Sequence, residues 1–278
     1  MTDIMRLLRQ SRTDGHNVSH KFIQISPSDT DRLLSNCQFQ PVSSWALDLL
    51  PRQYGDYPSD VASDIYYNLK GMPDASLLRG HLFERQVLIH LSGLRNECTF
   101  SIRGLIDSNQ MTWTCRPIRR VTFEESTVFD EITKAVQKRE PVHLAPLARN
   151  FPAVDSILYD PDDQNAALTC IQITMNMDHP IVVPGLQLIQ RWFKRDSSLE
   201  VLRPTIAKPW RFLFIVPSHM SSAFKLQTLK NDTPSGEWGK GKMCQYVVGL
   251  KEETIFGTKS SSTIRVQAPR NCRRGGQV

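Results

Sequence analysis

Two acidic side chains stand in sequence too apolar to be solvated. Asp155 lies within Phe151-Pro152-Ala153-Val154-Asp155-Ser156-Ile157-Leu158-Tyr159, and Glu84 falls among Leu77, Gly80, His81, Leu88 and Leu91, which recur at helical spacings. A carboxylate in such surroundings is costly unless it has a partner or a task. For Glu84 the plainer reading is an ion pair with Arg79, Arg85 or a later basic side chain. Beyond Asp155 the turn Asp160-Pro161-Asp162-Asp163-Gln164-Asn165 leads into a second strand-like run, Leu168 to Met175. Strand side chains alternate, so Gln172 and Thr174 share one face, about 6 to 7 Å apart, while Ile171 and Ile173 share the other. Paired as a hairpin, the two runs bring Gln172 and Thr174 near Asp155.

Basic residues form the other group with chemical potential. Arg116, Arg119 and Arg120 cluster in one strand-like stretch, and Arg191, Lys194 and Arg195 decorate one side of a helix. Each group reads either as a solvated edge that resists unwanted pairing or as a set of phosphate contacts. The whole chain carries 34 Lys and Arg against 28 Asp and Glu, a net charge of +6, which favours polyanionic partners without identifying one. The cysteines, Cys37, Cys98, Cys115, Cys170, Cys244 and Cys272, lie far apart with no zinc-type spacing, so free thiols in a reducing intracellular compartment are expected. With no secretory signal visible in the opening residues and no run of about 18 apolar residues, neither secretion by a leader nor membrane association is expected.

The elements that hold these residues follow from periodicity and punctuation. Ser76 to Leu91, preceded by Pro73-Asp74 and closed near Gly93, reads as the helix bearing Glu84. Thr99 to Leu105, Met111 to Cys115 and Ile118 to Phe123 read as strands, and Glu124 to Lys138 as an amphipathic helix. Pro184 to Arg195 is a helix with Leu186, Ile189, Trp192 and Phe193 as its buried stripe. Trp210 to Pro217 is an almost unbroken apolar run, which belongs in the middle of a sheet, and Gln245 to Leu250 is a further strand. Towards the N-terminus, Lys21 to Ile25 reads as a short strand, while a helix starting at Ser26-Pro27-Ser28-Asp29 and another over Val61 to Leu69 make the first 75 residues mostly helical. The stretch Gly236-Glu237-Trp238-Gly239-Lys240-Gly241-Lys242 has phosphate-loop spacing, but Met243 stands where a magnesium-holding Ser or Thr belongs and a strand follows instead of a helix.

Helix with Glu84, strand, insertion, strand with Asp155, strand with Gln172-Ile173-Thr174, helix and apolar strand give the order α-β-β-β-α-β. That order resembles the restriction-endonuclease-like fold of the PD-(D/E)xK type, an α/β (α+β) architecture, with a β/α insertion after the first strand. Five phrases narrow the resemblance: Arg79 to Glu84, Leu147 to Asp155, Ile171 to Thr174 with His179-Pro180, Trp210 to Pro217, and Gln245 to Leu250. Together, over roughly Val18 to Leu250, they are similar to the C-terminal part of Crinkler and retrotransposon-hot-spot-like proteins, in which a P-loop NTPase part typically precedes a nuclease-like domain. The resemblance implies that Glu84 and Asp155 hold Mg2+ or Mn2+, with Gln172 and Thr174 in the positions of a further acid and a lysine. It also implies an effector or selfish-element protein acting on nucleic acid, DNA in first place, in a nucleus. Without a complete Walker motif, residues 1–75 are expected to be the remnant or linker of an NTPase part, 76–255 the nuclease-like domain, and 256–278 a basic flexible tail.

Two functions follow. One is a divalent-metal-dependent endonuclease with a reduced site, in which Glu84, Asp155 and the Gln172 amide oxygen hold metal and Thr174 positions water or phosphate. The other is a catalytically inactive module that binds nucleic acid or a protein partner, with Arg119, Arg120, Arg191, Lys194 and Arg195 supplying phosphate affinity.

Overall fold

The apolar run Trp210–Pro217 is buried along its whole length, and the sheet is laid down on both sides of it. In this computed structural model the described residues are 23–27, 37–41, 59–70, 76–124, 127–147, 151–231, 238 and 241–257. The elements are β1 (Ile23–Pro27), β2 (Cys37–Pro41), α1 (Ser59–Asn68), α2 (Ser76–Ser92), β3 (Cys98–Gly104), β4 (Gln110–Cys115) and β5 (Arg119–Phe123). There follow α3 (Val128–Lys138), β6 (Val142–Pro146), β7 (Ser156–Tyr159), β8 (Leu168–Ile173), β9 (Ile181–Val182) and α4 (Val183–Lys194). After a 3-10 turn at Ser197–Leu202 come β10 (Trp210–Pro217), α5 (Ser218–Ser221), β11 (Leu229–Lys230), β12 (Met243–Leu250) and α6 (Glu252–Phe256).

The protein is a mixed α/β structure built on one eight-stranded sheet of order β4-β3-β12-β10-β8-β7-β6-β5. β10 pairs in parallel with β8 and with β12, and β5 in parallel with β6. The β8-β7, β7-β6, β12-β3 and β3-β4 pairs are antiparallel. β12 alone joins the β3-β4 hairpin to the rest. Helices cover both faces. α2 lays Leu78, Leu82, Phe83, Val87 and Leu91 on Ile102, Ile171, Ile173, Leu213 and Ile215, with α1 and α6 in the same layer. On the opposite face α3 and α4 bury Val128, Ile132, Leu186, Ile189, Trp192 and Phe193 against Val142, Leu144, Cys170, Phe212 and Phe214.

Several elements differ from the expectation. The strand read as the first of the core, β3, does not adjoin β7; it lies on the far side of β12, and the neighbour of β7 is β6, whose four apolar-polar positions are hidden between Pro141 and Pro146. The first 75 residues hold a strand pair, β1 with β2, as well as α1. The expected helix from Ser26 onward, most of the phosphate-loop-like stretch and the basic tail lie largely or wholly outside the described residues. α1 docks on the sheet's helical layer through Tyr66, whose hydroxyl donates to Glu252 Oε1 at 2.5 Å while its ring stacks on Phe256 at 4.1 Å. Lys70 Nζ reaches the same carboxylate at 3.0 Å. Among the described residues no helix is long and apolar enough to cross a membrane.

The acidic turn between β7 and β8 is tied to the central strand by a buried charge. Arg211 on β10 is 3% exposed and donates to Asp163 and, at 3.1 Å, to Thr169 Oγ1. Removing one member of such a pair strands the other in a low-dielectric site. Asp163→Ala is therefore expected to cost about 3 to 5 kcal/mol, and Thr169→Val, which removes only a neutral hydrogen bond, about 1 kcal/mol. Urea unfolding of both variants checks the order; equal costs would remove the charge from the argument.

Candidate functional site

Asp155 does not sit inside a strand; it occupies the bend that leads into β7. Two constraints make that bend. Ala153 adopts φ +76°, a left-handed conformation that costs a residue with a Cβ about 1 kcal/mol or more. The Pro152 carbonyl is pressed against the first turn of α4, where a Cβ on Gly185 would come within 2.3 Å of the Pro152 oxygen. The chain then enters the sheet with Asp155 N–H donating to the Ile171 carbonyl at 2.9 Å, and Ser156 faces Ile171 in the β7-β8 register. The carboxylate turns back on β8. Its Oδ2 accepts the Ile173 N–H at 2.6 Å and the Gln172 Nε2 at 2.7 Å. The hairpin expected from sequence thus brings Gln172 and Asp155 together, at the end of the sheet where the C-termini of β5, β6, β8 and β10 meet. Open α/β sheets generally bind ligands at that end.

Glu84 reaches the same place from above. Along α2, His81, Glu84, Arg85, Leu88 and Ile89 form a stripe beside the buried one. With Arg120, Thr122, Ala145, Pro146, Leu147, Val154 and Asp155 they enclose a cleft of about 380 Å³. The sheet supplies its floor by alternation: Arg120 and Thr122 on β5 lie beside His143 and Ala145 on β6, while Val121, Phe123, Val142 and Leu144 point to the opposite core. His81 Nδ1 lies 3.7 Å from Glu84 Oε2, and both side chains are about one-third exposed.

Residue 155 is half-buried, and the Oδ2 of its carboxylate is taken up by the two N–H donors. Burial, and after it the negative charge of Glu84, hold that carboxyl well above the usual carboxylate range, while the Ile173 N–H and the Gln172 amide pull it back. Burial and then Arg85 lower the proton affinity of Arg120. His143, 1% exposed, is pushed down to about 4 by burial and by Arg120 beside it, and its Nε2 has no hydrogen-bond partner. The cleft brings charges of both signs together.

Other residues chosen from sequence lie elsewhere. Thr174 Oγ1 accepts the Asn176 N–H at 3.0 Å and lies 3.4 Å from His179 Nδ1, so it shapes the turn after β8. Arg119, adjacent to Arg120, points to the other face and pairs with Glu131 of α3 at 3.1 Å. Arg116 is held by Asp162 and Glu97. Arg191, Lys194 and Arg195 are exposed at the end of α4, where Phe193 meets Trp210 at the start of β10. That end is roughly 16 Å of helix away from the first turn of α4, on the face of the sheet opposite Glu84. Sequence reasoning named Arg85 only as an ion-pair partner for Glu84 and Arg120 only as a phosphate contact, and it missed His143 and the cleft that Arg85 and Arg120 line. Two of the three sit on neighbouring strands of which one, β6, was not read. Another hollow of about 540 Å³, on the other flank of α2 and lined by Gln86, His90, Arg95, Glu97 and Cys98, contains none of the candidate site residues chosen from sequence.

Among the described residues no group of three or more His, Cys, Asp or Glu side chains is arranged to hold a metal ion; the cleft offers two carboxylates. Compared with family models, with curated proteins and with solved structures, the chain matches none.

His143 gives the site a pH signature. Its folded pKa lies below the unfolded value of 6.5, so the neutral ring favours folding above pH 6.5 and that stability is lost as pH falls towards about 4. The loss is on the order of 2 to 4 kcal/mol. Asp155, shifted upward, acts in the other direction: its contribution is complete at acid pH and is lost as pH rises through the folded pKa. Urea midpoints from pH 7.5 to 4.5 are expected to fall less steeply for His143→Leu than for the wild type. Parallel slopes would show that the ring is not buried neutral.

Proposed function

We propose that the chain contains a nuclease-like domain whose working site is the cleft between Glu84 and Asp155, acting on nucleic acid by divalent-metal-dependent phosphodiester hydrolysis. One observation carries the reading. The Asp155 carboxylate is fixed by two N–H donors on one oxygen and shares a cleft with Glu84, and burial first and the Glu84 charge second raise its proton affinity. A carboxylate pair of that kind is short of positive charge, and strongly perturbed acids in a cleft are a mark of functional sites. The run β6-β7-β8, α4, β10, with its four strands adjacent in sequence order, supports a restriction-endonuclease-like core whose first strand is β6.

The donor set suits a hard cation. Mg2+ binds through one or two carboxylates and fills its shell with water and substrate phosphate oxygens. Glu84 and the second oxygen of Asp155 are the groups to hold it, and the Gln172 amide, committed through Nε2 to Asp155, has only Oε1 to offer. Mg2+ or Mn2+ so placed supplies hydroxide near neutral pH and neutralises charge on the phosphate. The chain's own contribution is to keep Asp155 in one orientation through Ile173 and Gln172, in a cleft partly walled by Val154 and Leu88. A second reading, binding without hydrolysis, is favoured by Thr174: it is uncharged and committed to its own turn, so no group of β8 takes the lysine's place.

Asp155→Asn separates the readings. Because both donors converge on one oxygen, an amide oxygen can accept both, and removing a charge beside Glu84 relieves repulsion. The variant is expected to keep or raise the metal-free melting temperature, to lose any gain on adding Mn2+, and to cut plasmid or RNA no faster than the chelated wild type. A destabilised variant, with a wild type indifferent to both ions, would make Asp155 a structural acid and end the hydrolytic reading.

A further inference from the structure

Two cysteines far apart in sequence are set side by side by the β3-β4 hairpin. Cys98, the first residue of β3, is the register partner of Cys115, the last residue of β4. Directly paired residues of antiparallel strands put their side chains on one face, here the face on which Ile102, Trp113 and Cys115 pack beneath α2. The Gly104 N–H donates to the Asn109 carbonyl at 2.8 Å. Counting along the ladder two residues at a time from there makes Cys98 and Cys115 a hydrogen-bonded pair as well, with Cα atoms about 5.5 Å apart. That separation is among the commonest for a disulfide. The paired Cβ atoms stand about 4.5 to 5.5 Å apart, so closing the bond draws the two strand ends together by about 1 Å. The next pair outward, Glu97 and Arg116, is joined at 3.4 Å by an exposed ion pair, which yields easily.

The two thiols differ in access. Cys115 is 2% exposed, whereas Cys98 is half-buried and lines the hollow of about 540 Å³ beside the end of α2. We propose that Cys98 and Cys115 form a dithiol modification site that meets low-molecular-weight disulfides of the oxidised glutathione type through that hollow and closes into a cross-strand disulfide. The Cys98 thiolate attacks one sulfur of the incoming disulfide, whose S–S bond breaks, and the first glutathione leaves with the proton that Cys98 gave up. Cys115, losing its own proton, then attacks Cys98 Sγ and expels the second glutathione. Two protein thiols are oxidised to one disulfide and one glutathione disulfide is reduced to two thiols, with no other reagent. Burial first, then Cys98 and Asp160, push the Cys115 thiol up to about 12, so the second step is the slower one and quickens as pH rises. A bond that pulls its strand ends inward is also readily reduced again. What it staples is an edge: β4 ends the sheet, and the β3-β4 hairpin is held to the other strands through β12. The inference draws nothing from the cleft of Glu84 and Asp155.

The test treats the reduced full chain with oxidised glutathione under native conditions, blocks the remaining thiols and locates the modified cysteines by peptide mass spectrometry. In the wild type a cross-link between Cys98 and Cys115 is expected. Cys115→Ser should stop at one glutathionyl group on Cys98, and Cys98→Ser should leave Cys115 unmodified until the chain is denatured. The oxidised wild type should melt about 3 to 8 °C above the reduced one, a gain that dithiothreitol removes and Cys98→Ser lacks. Cys98→Ala and Cys115→Ala serve instead if a serine in this apolar layer prevents folding. Once free glutathione is removed, the mixed disulfide of the wild type should decay faster by up to about tenfold per pH unit between pH 7 and 9. A glutathionyl group that stays on Cys98 of the wild type without cross-linking would overturn the closure. A Cys98 that reacts only in denaturant, or cross-links spread over the other cysteines, would overturn the site. An oxidised form that melts no higher than the reduced one would overturn the staple.

Discussion

Two carboxylates brought into one cleft repel each other, and folding alone cannot abolish that repulsion; it can only arrange what compensates it. In this protein the compensation for Asp155 is local and directional. One of its oxygens accepts the Ile173 N–H and the Gln172 amide, which fix the side chain and offset part of the rise in proton affinity that burial and then Glu84 impose. Much of the architecture serves to keep that geometry. The Ala153 bend aims the residue, the Pro152 carbonyl locks the bend on Gly185, and β8 presents the donors because β10 holds it in register. The central strand in turn grips the far end of the same hairpin through Arg211 and Asp163. The acid is thus held at one end of the β7-β8 pair and the pair itself is clamped at the other.

The distribution of positive charge follows from the same sheet. Adjacent strand residues point to opposite faces, so Arg119 and Arg120 belong to different environments although they are neighbours in the chain. One neutralises Glu131 on the surface of α3; the other enters the cleft beneath α2. The net excess of Lys and Arg therefore says little about where an anion would sit. Position on the sheet decides it, and the exposed cluster at the end of α4, the more conspicuous one in sequence, is the one remote from the acids.

What could be read from the sequence was what long, regular patterns determine. Helices α2 and α4 carry periodicity over several turns, the β7-β8 pair is two apolar runs around a strong turn signal, and β10 is a long apolar run; with them came Glu84, Asp155 and Gln172. β6 escaped because only four residues lie between two prolines, too few to show a period of two. Its absence made β3 look like the first core strand and hid His143. The expectation that Asp155 lay within a strand rested on apolar neighbours. A left-handed Ala153 leaves no such mark, since alanine carries no signature of positive φ. Thr174 shared a face with Gln172 by alternation, but the strand ends at Ile173 and the rule stops applying one residue later.

β12 is the last strand among the described residues and yet sits in the interior of the sheet, between β3 and β10. During synthesis the β3-β4 hairpin emerges well over a hundred residues before the strand that must join it to the remainder. Until Leu250 has left the ribosome the flank of β10 stays open, and so does the layer beneath α6. Such late, long-range parallel pairing is slow and leaves strand edges available to other chains. The N-terminal part of the domain therefore waits, with its hydrophobic surface uncovered, for nearly the whole described chain to be made, and nascent-chain binding proteins that shield open strand edges are the class of helper this topology calls for.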